Sequence, residues 1–283
     1  MTKNLKIILV IAIIAAAAGG VWLVFGQANS GTFLIGVGKN TPVTPIVSTV
    51  TPVGSSTRQS RDKLLNQLKQ PFASEIGTYR PSSINQQIFT VCDSVSDCNT
   101  KIYNAQPGDY VYLDRDLNTS MGGDHINVSS PNSGTNSKTI TFDCGYHILD
   151  NIRIVMWDDF VNFKNCVMIG DGSSERAIDV YSPGNVKIEN IAVGNWGRGI
   201  NVNYVENPDY NGAVSIKNFL GQDNDFGMYL RSSTLQSIRL QDSKSCGALD
   251  HDIMTVGEDS AILANNITCD QQKSEITCNH PCP

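Results

Sequence analysis

The sequence predicts an all-β chain: a right-handed parallel β-helix solenoid behind an N-terminal transmembrane helix and a Thr/Pro-rich stalk. The first observation is a segment that recurs between residues 139 and 270: ITFDC (140–144), VNFKNC (161–166), VKIENI (186–191), VSIKNF (214–219), SIRLQDS (237–243) and AILANNI (261–267). Aligned on the last polar residue, these copies give a column of Asp143, Asn165, Asn190, Asn218, Asp242 and Asn266, spaced by 22, 25, 28, 24 and 24 residues. The second is that each copy alternates apolar and polar residues, with no helical run between copies. A period of about 20–30 residues with one strand-like core marks a solenoid, and the period-2 alternation selects a β-helix. The third is a second recurring strand: IRIVM (152–156), AIDVY (177–181), GINVN (199–203), GMYLR (227–231) and, more loosely, DIMTV (252–256).

The Asn/Asp column has a physical reason. Where a coil bends, backbone and side-chain polar groups must find partners. A stacked amide can donate to one coil and accept from the next. The column is therefore expected to form a ladder whose side chains, Asn165, Asn190, Asn218 and Asn266 among them, point into the turns.

From the N-terminus, residues 7–25 carry no charge and follow Lys3 and Lys6. Nineteen such residues come close to the roughly 30 Å of a bilayer core. Residues 1–28 thus read as a signal anchor with the lysines cytoplasmic and the C-terminal bulk outside the cell membrane. Cleavage after Ala28, giving a secreted protein, is the alternative. Residues 29–59 form a Thr/Pro/Ser-rich linker with Thr-Pro pairs at 41–42, 44–45 and 51–52. The 60–100 region should hold a short helix over 60–69, where Leu64, Leu65 and Leu68 have helical spacing, placed to cap the open N-terminal end of the solenoid. A strand is expected near Ile88 to Val91. The solenoid then runs over 101–270, and a cysteine-containing tail over 271–283.

The eight cysteines suit an oxidising compartment. Cys144 and Cys166 each directly follow a ladder position, so they should stack one coil apart and pair. Cys246 and Cys269, four and three residues after their rungs, are expected to pair likewise, with Cys92–Cys98 and Cys278–Cys282 as local loops. Cys278-Asn-His280-Pro-Cys282 lacks the second pair that a zinc site needs, so no metal is assigned there. Sequons stand at Asn118, Asn127 and Asn266; the first two, in loop-like sequence, are the expected glycan acceptors, because the last is a ladder rung. The net charge of −6 argues against nucleic acid.

The opening AQPGDYVYLD (105–114) and the following SGTNSKTITFDC (133–144) are similar to segments of the pectate-lyase-like right-handed parallel β-helix superfamily. The resemblance covers roughly 101–270. It implies that a ligand groove runs along the outside of one parallel sheet and the loops beside it. Alternation places Arg153, Asp179, Asn201 and Tyr229 in one outward column, and Val155 or Trp157, Tyr181, Asn203 and Arg231 in a neighbouring one. Aromatic faces with hydrogen-bonding neighbours suit sugar chains. The substrate-binding candidates are Tyr181, Trp196, Asn201, Tyr229, Arg231, Asp223 and Asp250. For catalysis, Asp225 and Asp252 could act as paired carboxylates with His251 as proton carrier, or the same acidic loops could hold Ca²⁺. The chain carries neither the polygalacturonase set (Asn-Thr-Asp, paired Asp-Asp, Gly-His-Gly, Arg-x-Lys) nor a clear lyase Lys/Arg pair. Two functions therefore stand open: an anchored extracellular protein that binds and processes polysaccharide, by lyase or hydrolase chemistry, and a non-catalytic adhesion or envelope protein. Oligomeric state is not readable.

Overall fold

A computed structural model of the chain describes residues 59–81, 89–119, 124–132, 138–157, 160–173, 175–181, 184–203, 212–232, 237–257, 262–270, 272–273 and 276–283. The anchor and stalk expectations lie outside these residues; among the described residues no helix is long and apolar enough to cross a membrane.

The chain winds into a parallel β-solenoid of about six turns with two sheets. The larger, ten-stranded sheet contains β1 (Phe89–Cys92), β2 (Tyr110–Leu113), β5 (Ile140–Asp143), β8 (Val161–Ile169), β10 (Val186–Gly194), β12 (Ala213–Gln222), β14 (Ser237–Cys246) and β16 (Ile262–Thr268) in that order, with β3 (Leu117–Asn118) and β6 (Ile148–Asp150) paired beside β8. The smaller, seven-stranded sheet stacks β4 (His125–Asn127), β7 (Arg153–Met156), β9 (Arg176–Val180), β11 (Arg198–Val202), β13 (Phe226–Ser232), β15 (His251–Gly257) and β17 (Gln272–Lys273). Every pairing is parallel.

Both recurring segments occupy the same register in each coil. Phe142, Phe163, Ile188, Ile216 and Leu240 stack as one inward row of the larger sheet. Ile154, Ile178, Ile200, Met228 and Ile253 form the facing row of the smaller one. All ten are buried in one core, where like side chains at strand spacing pack into continuous rows.

The Asn/Asp column forms the expected ladder, but not in the expected place. Each long strand of the larger sheet bends at one left-handed residue: Asn165 (φ 56°), Asn190 (57°), Asn218 (52°), Asp242 (50°) and Asn266 (56°). Asn and Asp tolerate this conformation better than other non-glycine residues, which supplies half the reason for the column. The ladder supplies the rest: Asn165 donates to Asp143 at 3.0 Å, Asn190 to Asn165 at 2.9 Å, Asn218 to Asn190 at 2.9 Å and Asn266 to Asp242 at 2.8 Å. The bend turns these side chains away from the core, so Asn218, Asp242 and Asn266 are exposed rather than turned inward. Asp143 and Asn165 are buried because Tyr79 and Tyr110 cover them. Of the sequon residues, Asn118 and Asn266 are exposed and Asn127 is half-buried.

The first helix, α1 (Arg61–Lys69), does not cap the solenoid end. With the following turn it lies across the outside of the larger sheet, burying Leu64, Leu68 and Phe72 on Val167, Ile169 and Ala192. These apolar outward positions draw it there. Arg61 ties it down by pairing with Asp150 and donating to the Gly170 carbonyl. The cap is a second helix, α2 (Val95–Tyr103), whose Cys98 and Ile102 enter the core. Ser94 caps it by accepting from the Asp97 N–H at 3.2 Å.

All eight cysteines are paired. Cys92–Cys98 and Cys144–Cys166 are as expected, whereas Cys246 joins Cys282 and Cys269 joins Cys278. The reason is parity. Lys244 faces Thr268, so Cys269 is in register with Ser245, one residue short of Cys246. A one-residue offset turns a side chain to the other face: Cys269 belongs to the core and Cys246 does not.

Candidate polysaccharide-binding face

The outer face of the seven-stranded sheet displays side chains in three rows. Arg176, Arg198, Phe226 and His251 align in the first, and Val155, Asp179, Asn201, Tyr229 and Met254 in the second. The third, two residues further on, holds Trp157, Tyr181, Asn203, Arg231 and Val256. The register thus puts Val155, not Arg153, beside Asp179, and assigns Trp157 to Tyr181.

Asp179 is the hub. Although it points to the outer face it is fully buried, because its neighbours close over it. Arg153 Nη2 lies 2.9 Å from its carboxylate, Arg176 Nη1 3.3 Å from both oxygens, the Tyr181 hydroxyl donates at 3.1 Å and Asn201 Nδ2 donates at 2.6 Å. A buried carboxylate needs this company, since an unpaired charge is costly out of water. Arg153 also pairs with Glu175 at 2.9 Å. Burial first, and the Asp179 charge second, raise the Tyr181 phenol above its ordinary pKa, so it stays a neutral donor.

Two aromatic patches flank this hub. Trp157, half-exposed at 50%, stacks on Tyr181 with ring centroids 4.1 Å apart and planes within 9°. The second patch contains Phe226, Tyr229 and His251, with the Phe226 and His251 rings parallel at 6.2 Å. Between them the Arg198 guanidinium covers Tyr229 at 4.2 Å and donates to Asn201 Oδ1 at 2.6 Å. Among the described residues no carboxylate pairs with Arg198. The patches lie two strand steps apart, about 10 Å, roughly the span of two hexose rings. Arginine lying flat on an aromatic ring is pre-organised, with less freedom to lose on forming further hydrogen bonds.

The predicted site residues divide sharply. Tyr181 and Tyr229 are half-buried members of this face, and Arg231 is exposed beside it. Asp250 is exposed and pairs with His251 at 2.6 Å. Asn201 is buried beneath Arg198, so it orients that side chain and does not reach a ligand. Trp196 is not a groove residue: it is 3% exposed within the core, at the bend where Asn195 and Asp223 adopt positive φ. Asp223, buried at that bend, accepts from Gln222 Nε2 at 2.9 Å.

Asp252 is not half of a carboxylate pair. At 1% exposure, it accepts the Ala248 N–H at 3.2 Å and the Asp270 N–H at 2.9 Å, bracing two loops. Asp225 is linked through its backbone to Asp250 instead, accepting the Asp250 N–H at 2.9 Å. Among the described residues no group of three or more His, Cys, Asp or Glu is placed to hold a metal ion.

The residues missed at the sequence level are Arg176, Arg198 and Phe226. Their signal was present: RAIDV, RGINV and FGMYL place them at the same position of the second recurring strand. Compared with family models, curated proteins and solved structures, the chain matches none.

Proposed function

We propose that this protein is an extracellular, membrane-anchored β-helix of the pectate-lyase-like kind that binds an extended polysaccharide along the outer face of its seven-stranded sheet, holding the chain without cleaving it. The observation that carries this reading is the Trp157–Tyr181 stack on the same sheet face as the Arg198-covered Tyr229, two strands and one row away. Flat aromatic surface takes sugar rings while the guanidinium N–H groups take hydroxyls. Binding is favoured over cleavage because both carboxylate oxygens of Asp252 accept backbone N–H groups, and the residue paired with Asp225 through the backbone is Asp250. Four disulfides suit an oxidising, extracellular setting. The N-terminal run of 19 uncharged residues suits an anchor.

A glycan array and a panel of soluble polysaccharides test the reading. Trp157→Ala should lower affinity for the bound glycan about tenfold, or about 1.4 kcal/mol. Asp225→Asn should leave both binding and the absence of turnover unchanged. Polysaccharide degradation by the wild type that Asp225→Asn abolishes would replace this reading with the enzymatic one.

A further inference from the structure

The opposite wall of the solenoid carries a second feature. Outside the larger sheet, the half-strands before the ladder form two rows: Asn162, Lys187, Ser215 and Arg239, and beside them Lys164, Glu189, Lys217 and Gln241. One cation therefore stands on each successive strand: Lys164 on β8, Lys187 on β10, Lys217 on β12 and Arg239 on β14. They alternate between the two rows, so the line zigzags, advancing by the strand spacing of about 4.8 Å per cation and running along the solenoid axis for about 14 Å. Lys187 and Arg239 are exposed and Lys217 half-buried, while Lys164, 21% exposed, lies with its ammonium 5.0 Å over the Tyr110 ring.

Such a line is unexpected in a chain of net charge −6. Nearby carboxylates neutralise only part of it. Glu189 lies between Lys164 and Lys217 in register, the buried Asp143 is 3.8 Å from Lys164, and the exposed ladder residue Asp242 accepts from Gln241 Nε2. Lys244 adds a further cation two residues beyond Asp242. Among the described residues, Lys187, Lys217 and Arg239 form no ion pair. Directly beside the line runs the ladder, whose Asn218 and Asn266 amides are exposed.

We propose that this face is a second binding site, which takes a linear acidic polysaccharide lying along the solenoid axis. A regular line of cations matches a polymer whose anionic groups repeat along its length. The neighbouring amides supply the hydroxyl partners that a glycan needs and a bare polyphosphate does not. An anionic membrane would call for a broad basic disc with apolar side chains among the cations; the exposed apolar residues of these rows, Leu263 beyond Arg239 and Phe89 and Val91 at the opposite end, lie outside the run of cations. The site is independent of the aromatic face on the other sheet.

The test uses the full chain and two immobilised probes, heparin and alginate, at increasing salt. Wild type should bind with strong salt dependence. The triple variant Lys187→Gln/Lys217→Gln/Arg239→Gln should bind at least tenfold more weakly, with a salt slope reduced by about three. Glu189→Gln should bind more tightly. A control with the same charge change elsewhere, Lys63→Gln/Arg115→Gln/Lys138→Gln, should match wild type, and the test triple should lose binding by the same factor in a Trp157→Ala background, which separates this face from the aromatic one. Circular dichroism confirms that each variant is folded. Equal loss in the control triple would reduce the effect to net charge and overturn the proposal. So would no loss in the test triple, no further loss when the triple is made in the Trp157→Ala background, or equal capture by polyphosphate or phosphatidylserine vesicles.

Discussion

At each bend of the larger sheet one side-chain group decides whether the ladder continues. Every amide donates toward the preceding coil, but Asp242 has only acceptors to offer Asn218, and no hydrogen bond joins the two. Asp242→Asn should close that gap and stabilise the fold by about 0.5–1 kcal/mol. In thermal unfolding this should read as a rise of about 1–4 °C; a fall would show that the carboxylate is held by something other than its neighbouring rungs. At the buried end of the ladder Asp143 accepts from Tyr79 at 2.8 Å and from Tyr110. Burial, aided by that carboxylate, raises both phenols well above their usual range, and burial likewise pushes Tyr146 up to about 12. A raised folded-state pKa means that the unfolded chain ionises first. The contribution of these tyrosines is therefore intact below pH about 10 and lost as pH rises beyond it. Urea midpoints measured from pH 8 to pH 11.5 should fall above pH 10 in wild type, and fall less in Tyr79→Phe/Tyr110→Phe; parallel curves would refute the linkage.

Among the elements, the coil strands were legible, whereas α2 was not read as a helix and α1, read as one, was given the wrong docking surface, for a physical reason. A strand of this solenoid is stabilised by copies of itself, so its pattern is written many times: Ile154, Ile178 and Ile200 say the same thing. The cap α2 is written once. Its signals, Ser94 three residues before Asp97 and apolar Val95, Cys98 and Ile102 at helical spacing, were available but stood alone in an otherwise irregular stretch. The leucine spacing of α1 identified a helix, but the surface it covers depends on outward positions such as Val167 and Ile169, which only the strand register identifies. The aromatic face follows the same rule: its rows were readable, whereas the burial of Asn201 depends on Arg198 folding over it and that of Trp196 on the positive-φ bend at Asn195. The docking of α1 is close, since a Cβ added at Gly194 would lie 2.9 Å from Leu68 Cδ1 and 3.1 Å from the Gln222 carbonyl. Leu68→Ala should cost about 2–5 kcal/mol while leaving the strand signal in circular dichroism unchanged, because the coils keep their own core. Loss of that signal would mean that the helix is part of the solenoid's nucleus.

Across the whole molecule, stability is distributed along an axis: each coil touches mainly its neighbours, and the ends need closure. Helix α2 closes one end, and the segment 276–283 the other, where Asn279 and His280 donate to the Ile267 carbonyl and Cys269 donates to that of His280. Peptide mapping without reduction should find Cys246 with Cys282 and Cys269 with Cys278; a Cys246–Cys269 peptide would contradict the register of β14 and β16. Those two bonds gather the chain after Cys246, and the other two gather the chain up to Cys166. No covalent bridge crosses the coils between. Two stitched hems thus flank an unstitched panel, and a protease that cut the backbone once in that panel would leave two halves joined only by strand pairing, ladder and core contacts, free to separate in denaturant with every disulfide intact.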